Sequence, residues 1–139
     1  MSRILVVDDE KLLLTVLKAI LSNEGYETVT VQDGQSALNL LESQRFDLIL
    51  SDIRMAPMNG MELLRRARTS TPAIPIIMMT GYGTVSSAVE ALSLDVFDYI
   101  SKPFKPDLLL EMVRQALLYG QTEAAGNSLS DAPAAVCTI

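Results

Sequence analysis

Four strand-like runs in this chain end on polar residues that could do chemistry together. ILVV is followed by Asp8 and Asp9, LILS by Asp52, IIMM by Thr80 and DYIS by Lys102. Taken singly, each has an ordinary reading. An aspartate after a strand is commonly a turn residue or helix cap, a threonine before glycine can open a loop, and a lysine before proline can be a solvated surface charge. Four runs ending this way, each at a different place in the chain, are harder to ascribe to chance. Three carboxylates brought together repel one another and raise each other's pKa unless a cation joins them. Oxygen-only donors suit Mg²⁺, with Mn²⁺ able to substitute. A hydroxyl and an ammonium beside them could hold phosphoryl oxygens, and an aspartate can itself be the nucleophile, giving an aspartyl-phosphate.

Such a cluster needs a scaffold that gathers strand ends. Ile4 to Val7 is a β-branched and leucine run, expected to be buried on both faces. Glu10 to Asn23 repeats Leu13, Val16, Leu17, Ile20 and Leu21 at helical spacing, with Gly25 as a stop. Glu27 to Val31 is β-rich. Asp33 is placed to cap a helix from Gln35 to Ser43. Asp47 to Ser51 is a third strand, Gly60 to Arg68 a helix, and Thr69 to Pro75 a loop. Ile76 to Met79 is a fourth strand, Thr84 to Leu94 a fourth helix, and Phe97 to Ile100 a fifth strand. Pro106 suits the first turn of a last helix over Asp107 to Tyr119.

This alternation predicts an α/β fold, a doubly wound five-stranded parallel sheet with helices on both faces. The flavodoxin-like order 2-1-3-4-5 fits best, and its ligands bind at the carboxyl edge near the switch point. Residues 1–119 are expected to form the domain. From 120 to 139 the chain is rich in Ala, Ser and Gly and is expected to be a flexible linker or tail, leading to an output domain in a longer parent chain or closing a single-domain protein.

Composition narrows the classes. The 139 residues are 49% apolar, enough for a core, and the net charge is −6. No Lys/Arg cluster interrupts that acidity, which argues against nucleic-acid binding by this domain. There is no histidine and one cysteine, Cys137, so Ser-His triads, the usual zinc sites and an internal disulfide are excluded. No segment reads as a signal peptide or membrane span, and the expected location is cytoplasmic.

The motifs ILVVDDE, DLILSDIRM with MNGMELL, IIMMTGYG and DYISKPF, in this order, resemble the receiver domain of two-component response regulators over Arg3 to Tyr119. The resemblance implies a phosphoacceptor switch rather than an enzyme, limited to self-catalysed phosphotransfer and autodephosphorylation. It implies that Asp52 accepts a phosphoryl group from a sensor histidine kinase or phosphotransfer protein. Asp9 would be the direct Mg²⁺ ligand, Asp8 its acidic neighbour acting through water, and the Arg54 backbone carbonyl a further ligand beside Asp52. Thr80 corresponds to the switch hydroxyl, Lys102 to the lysine that pairs with phosphoryl oxygen, and Tyr99 to the aromatic switch. The Lys102–Pro103 peptide is implied to be cis. Helix 4, strand 5 and helix 5 would form the output or homodimer surface.

The segment MTGYGTVSSAVEALSLDVFDYISKPF resembles the nitrogen-regulation-type activators that work with an alternative sigma factor, whose receivers precede an ATPase and a DNA-binding domain. Two positions depart from the family pattern. Pro57 stands one place late, shifting the restriction that proline imposes from Met55 to Ala56. Asp95 stands where glycine is common, a position aspartate tolerates better than most residues. Two other classes use similar parts. A haloacid-dehalogenase-type phosphatase would place its nucleophile in an Asp-x-Asp motif after strand one, where this chain has adjacent Asp8 and Asp9. A flavin or nucleotide module would want a Gly- or Ser/Thr-rich loop there, where this chain reads DDEKLLL.

Overall fold

The computed structural model describes residues 2–53, 58–71, 73–81 and 96–125. Five strands, β1 (Arg3–Val7), β2 (Glu27–Val31), β3 (Leu48–Asp52), β4 (Ile76–Thr80) and β5 (Asp98–Ser101), form one sheet. Its order is β2-β1-β3-β4-β5, and every pairing is parallel. Helices α1 (Lys11–Asn23), α2 (Gly34–Ser43) and α3 (Gly60–Ser70) and a last helix (Pro106–Ala125) cover it. The helix expected over 84–94 lies outside the described residues, as do Pro57, Asp95 and Cys137.

The three central strands, β1, β3 and β4, lack apolar–polar alternation because both their faces are buried. Leu5, Val7, Ile49 and Met78 point to one side, against Ala37 and Leu41 of α2 and Leu63 and Ala67 of α3. Ile4, Val6, Leu48 and Met79 point to the other, against Leu17 and Leu21 of α1 and Val113 and Ala116 of the last helix. Each such Leu, Val or Ile contributes on the order of 2 kcal/mol by leaving water. The central strand β3 is buried at all five positions, which holds its last residue, Asp52, in one place.

Helix ends follow local chemistry. Asp33 accepts a hydrogen bond from the Ser36 N–H at 2.7 Å, and Asn59 Oδ1 one from the Glu62 N–H at 2.9 Å. Each satisfies a backbone donor that a helix start leaves free. Gly25 adopts φ +93°, and its N–H donates to the Ser22 carbonyl, so the chain leaves α1 where a side chain would be strained.

Two helices are longer than the sequence suggests. Thr69 and Ser70, expected in a loop, close α3, where their hydroxyls donate to the Arg65 and Ala67 carbonyls. The last helix begins at Pro106 and continues to Ala125, so residues 120–125 of the expected linker are helical. Gly120 does not stop it: a Cβ there would lie 3.2 Å from Pro75 Cδ, so glycine lets the helix pass close to the start of β4.

Candidate functional site

Register brings the polar residues together. Val7 pairs with Ser51, so Asp8 and Asp52, each one residue further, emerge level on neighbouring strands. Asp52 pairs with Met79 and Thr80 with Ser101, which puts Lys102 one step beyond on β5's exit. The Lys102 N–H donates to the Thr80 carbonyl at 2.7 Å, extending that ladder past its last pair. The Lys102–Pro103 peptide is cis.

Carboxylate oxygens of Asp8, Asp9 and Asp52 all lie within 4.8 Å of one another. Asp8 is fully buried and Asp52 is 6% exposed, whereas Asp9 faces solvent. The Lys102 ammonium reaches into this group, 2.8 Å from Asp8 Oδ2 and 3.4 Å from Asp52 Oδ1. The other Asp8 oxygen accepts the Glu10 N–H at 2.9 Å, which ties the acid to the loop entering α1. Burial pulls the Lys102 pKa down, but the Asp8 hydrogen bond and the charges of Asp52 and Asp8 outweigh it and hold the ammonium above its ordinary range. One cation set against three acids leaves the cluster negative, so a second cation would be attracted.

Thr80 is buried, and its hydroxyl lies 3.4 Å from the Ile100 carbonyl and 3.5 Å from Ser101 Oγ, toward β5. Tyr99 is half-buried and packs against the core on the α2–α3 side of the sheet. Arg54, whose carbonyl the family resemblance nominates as a ligand, lies outside the described residues.

The donor set fits a hard divalent cation. It is made of carboxylates only, two of them buried and gathered on rigid strand ends. Asp8, Asp9 and Asp52 would hold it. Sequence reasoning missed two features of the site. The Lys102–Asp8 ion pair joins residues 94 positions apart and leaves no local pattern. Ser51 is fully buried beside Asp52 and donates to the Asp52 carbonyl at 3.0 Å. Its signal was present, as a lone hydroxyl between an apolar run and Asp52.

A five-stranded parallel sheet of order 2-1-3-4-5, with clustered acids, a hydroxyl and a lysine on its carboxyl edge, defines a flavodoxin-like α/β domain with a polar switch-point site. The chain belongs to the response regulator receiver domain family, whose model matches residues 4–114. It is thus a signalling domain of a two-component system.

The transcriptional regulatory protein ZraR of Klebsiella oxytoca is 40% identical over 132 residues, 95% of this chain and 29% of that protein. The CheY-like receiver domain protein of Methanospirillum hungatei superposes with a TM-score of 0.84 at 36% identity, covering 88% of this chain and 98% of that one. NtrX of Brucella abortus gives 0.87 at 34%, covering 93% of this chain and 30% of that one. ZraR and NtrX accord with the resemblance to nitrogen-regulation-type activators. The chain spans about a third or less of the curated relatives it matches. Among the described residues, no helix is long and apolar enough to cross a membrane.

Proposed function

We propose that Asp52 is the phosphoacceptor of this receiver domain, charged by a sensor histidine kinase or phosphotransfer protein in the cytoplasm. The observation that carries this is the gathering of Asp8, Asp9 and Asp52 around the Lys102 ammonium at the carboxyl edge. The Asp52 carboxylate attacks phosphorus. Its O–P bond forms as the P–N bond to the donor's imidazole breaks, and the electron pair leaves with that nitrogen. The strand ends supply position, the larger part of catalysis in such a displacement. Lys102, held at the carboxyl edge by Asp8 and Asp52, would pair with the incoming phosphoryl oxygens through a charge-assisted hydrogen bond.

Asp8, Asp9, Asp52 and the Arg54 carbonyl would hold Mg²⁺, or Mn²⁺ in its place. Once bound, the ion supplies the positive charge that lets an anion approach three carboxylates. After transfer, Thr80 turns its hydroxyl from the Ile100 carbonyl toward the phosphoryl group, and Tyr99 moves inward with it. The readout is a shift of β5 and the last helix, with the segment over 84–94, between two packings. That face would serve a homodimer or an output domain that regulates transcription, with residues 1–119 as the switch and the segment beyond as its connection. The phosphoryl group biases this equilibrium only through contacts that differ between the two states.

A small phosphodonor with Mg²⁺ tests the reading. Intact-mass spectrometry should show one hydroxylamine-sensitive phosphoryl group on the unmodified chain and none on Asp52→Asn. An unmodified wild-type chain would sink it.

A further inference from the structure

The peptide that presents Asp52 is gripped from two sides. The Gly60 N–H, at the first residue of α3, donates to the Ile53 carbonyl at 2.8 Å. A Cβ built on Gly60 would stand 2.3 Å from the Asp52 carbonyl oxygen and 2.9 Å from Ile53 Cα. The closest ordinary carbon–oxygen contacts are about 3.3 Å, so a side chain here would have to open a gap of about 1 Å. The atoms it would strike are backbone and have no rotamer to turn away. The buried Ser51 hydroxyl binds the same Asp52 carbonyl at 3.0 Å.

The gap would open at Asp52. Helix α3 is held by Asn59 at its cap and by buried Leu63, Leu64 and Ala67. Strand β3 is laddered to β1 and β4, and Asp52 is its last residue, paired on the β4 side. Displacement therefore falls on the end of the strand, and so on the carboxylate it carries.

Gly34 shows the contrast. A Cβ there would also be crowded, at 2.7 Å, but by the Met58 sulfur, the movable end of a flexible side chain. One close-packed glycine can be replaced by a small rearrangement, and the other cannot.

We infer that Gly60, assisted by the Ser51 hydroxyl, is a positioning residue that sets where the Asp52 carboxylate stands for attack on phosphorus. This rests on the phosphoacceptor reading of Asp52. With acetyl phosphate as donor, the Asp52 O–P bond forms as the P–O bond to acetate breaks, and acetate leaves with the electron pair. A misplacement of about 1 Å in such a step costs about 100-fold.

The experiment uses the whole chain as Gly60→Ala, Ser51→Ala, Gly34→Ala and Leu117→Ala. Leu117 is buried near the start of β4, at the opposite edge of the sheet, and reports destabilisation alone. Urea midpoints, Mg²⁺ affinity by calorimetry and the phosphorylation rate per folded molecule with acetyl phosphate at saturating Mg²⁺ are measured for each. Gly60→Ala is expected to slow phosphorylation by about tenfold or more and to weaken Mg²⁺ binding, because Asp52 is shared by both. Ser51→Ala is expected to slow it about threefold, the worth of a modest hydrogen bond. Gly34→Ala and Leu117→Ala are expected to stay within about twofold of wild type even where the urea midpoint falls.

A Gly60→Ala chain that keeps the wild-type rate overturns the inference, as does a Leu117→Ala chain slowed equally. If Gly60→Ala fails to fold, Ser51→Ala decides, and an unchanged rate there overturns it. A wild-type chain that takes no phosphoryl group overturns the phosphoacceptor reading and this inference with it. A wild-type chain that is modified, beside a Gly60→Ala chain that keeps pace, removes the inference alone.

Discussion

At the amino edge of the sheet, Arg3 spreads its guanidinium over several partners. Its Nη1 donates to the Arg45 carbonyl at 3.0 Å, and its Nη2 donates to the Gln44 side chain. Its Nε faces Glu27 at 3.2 Å, an ion pair without hydrogen-bond alignment. Its plane lies over the Phe46 ring, 4.7 Å from the centroid. At the carboxyl edge, Lys102 brings one compact ammonium to a group of three carboxylates, of which Asp8 is fully buried and Asp52 nearly so. Both cations tie distant parts of the chain together. Arg3 has one acid and neutral acceptors, so its charge is matched and both its Nη donors are used. Lys102 leaves an acidic surplus fixed on rigid strand ends. Matched charge makes a lock, and surplus charge makes a place for a ligand.

The largest expected contrast is in phosphoryl uptake. Asp52→Asn should take up no hydroxylamine-sensitive phosphoryl group, while Arg3→Ala should be modified within about twofold of the wild-type rate, since distant sites act independently. Intact mass after acetyl phosphate treatment reads both. An Arg3→Ala chain as inert as Asp52→Asn would break the division between lock and site.

Stability with and without metal comes next. Lys102→Ala leaves Asp8 and Asp52 buried without their ammonium and should cost about 3 kcal/mol in chelator. Mg²⁺ should restore more of that loss than it adds to wild type, because the ion takes over the neutralising charge. Arg3→Ala should lose about 2 kcal/mol, from one cation–π contact and its hydrogen bonds, and Mg²⁺ should restore none of it. Melting of wild type and both variants, each with chelator and with saturating Mg²⁺, measures all six values. Equal recovery of the two variants would show that the metal effect is general and not tied to the carboxyl edge.

Much of this was legible in the sequence because strands buried on both faces write themselves as unbroken apolar runs. IIMM and LILS could be placed to within a residue, and where a run ended, a site residue followed. The Asp33 cap was readable because its chemistry is local. Helix ends without a strong stop were not. Thr69 and Ser70 look like loop residues until their hydroxyls are seen bound to the carbonyls of the preceding turn. Gly120 looks like a terminator until Pro75 is seen packed against it. The partners of the Arg3 side chain lie 24 to 43 residues away, so its role leaves no local pattern. At the site, residue types and strand ends were legible, but pairings were not. That Lys102 meets Asp8 more closely than Asp52 depends on the register of four strands at once.

A smaller effect should appear at high pH. The Lys102 ammonium has a folded-state pKa raised above its unfolded value of about 10.4. Its contribution is therefore fully present below that value and is lost as pH rises through the folded pKa. Urea midpoints in chelator should fall more steeply for wild type than for Lys102→Ala as pH rises above about 10.4. The subtraction matters because every other titratable group is common to both chains. Parallel curves would mean that the ion pairs with Asp8 and Asp52 add nothing to folding.

The smallest effect tests the sign of the comparison. Neutralising one acid at each edge should move stability in opposite directions. Asp52→Asn removes the weaker Lys102 ion pair, at 3.4 Å, and keeps the stronger one to Asp8, at 2.8 Å. It also removes repulsion from Asp8 and Asp9. In chelator its melting temperature should rise by about 3 °C, the worth of roughly 1 kcal/mol in a domain of this size. Glu27→Gln removes an acid that lies outside the carboxylate cluster found among the described residues and that balances Arg3. Its side chain is 49% exposed, so the loss should be under about 1 kcal/mol, and the melting temperature should fall by a degree or two. Saturating Mg²⁺ should reverse the order at the carboxyl edge alone, since Asp52→Asn gives up a metal ligand whereas Glu27→Gln does not. A fall for Asp52→Asn in chelator would mean that Lys102 already compensates the three carboxylates, leaving no surplus charge to draw a cation in.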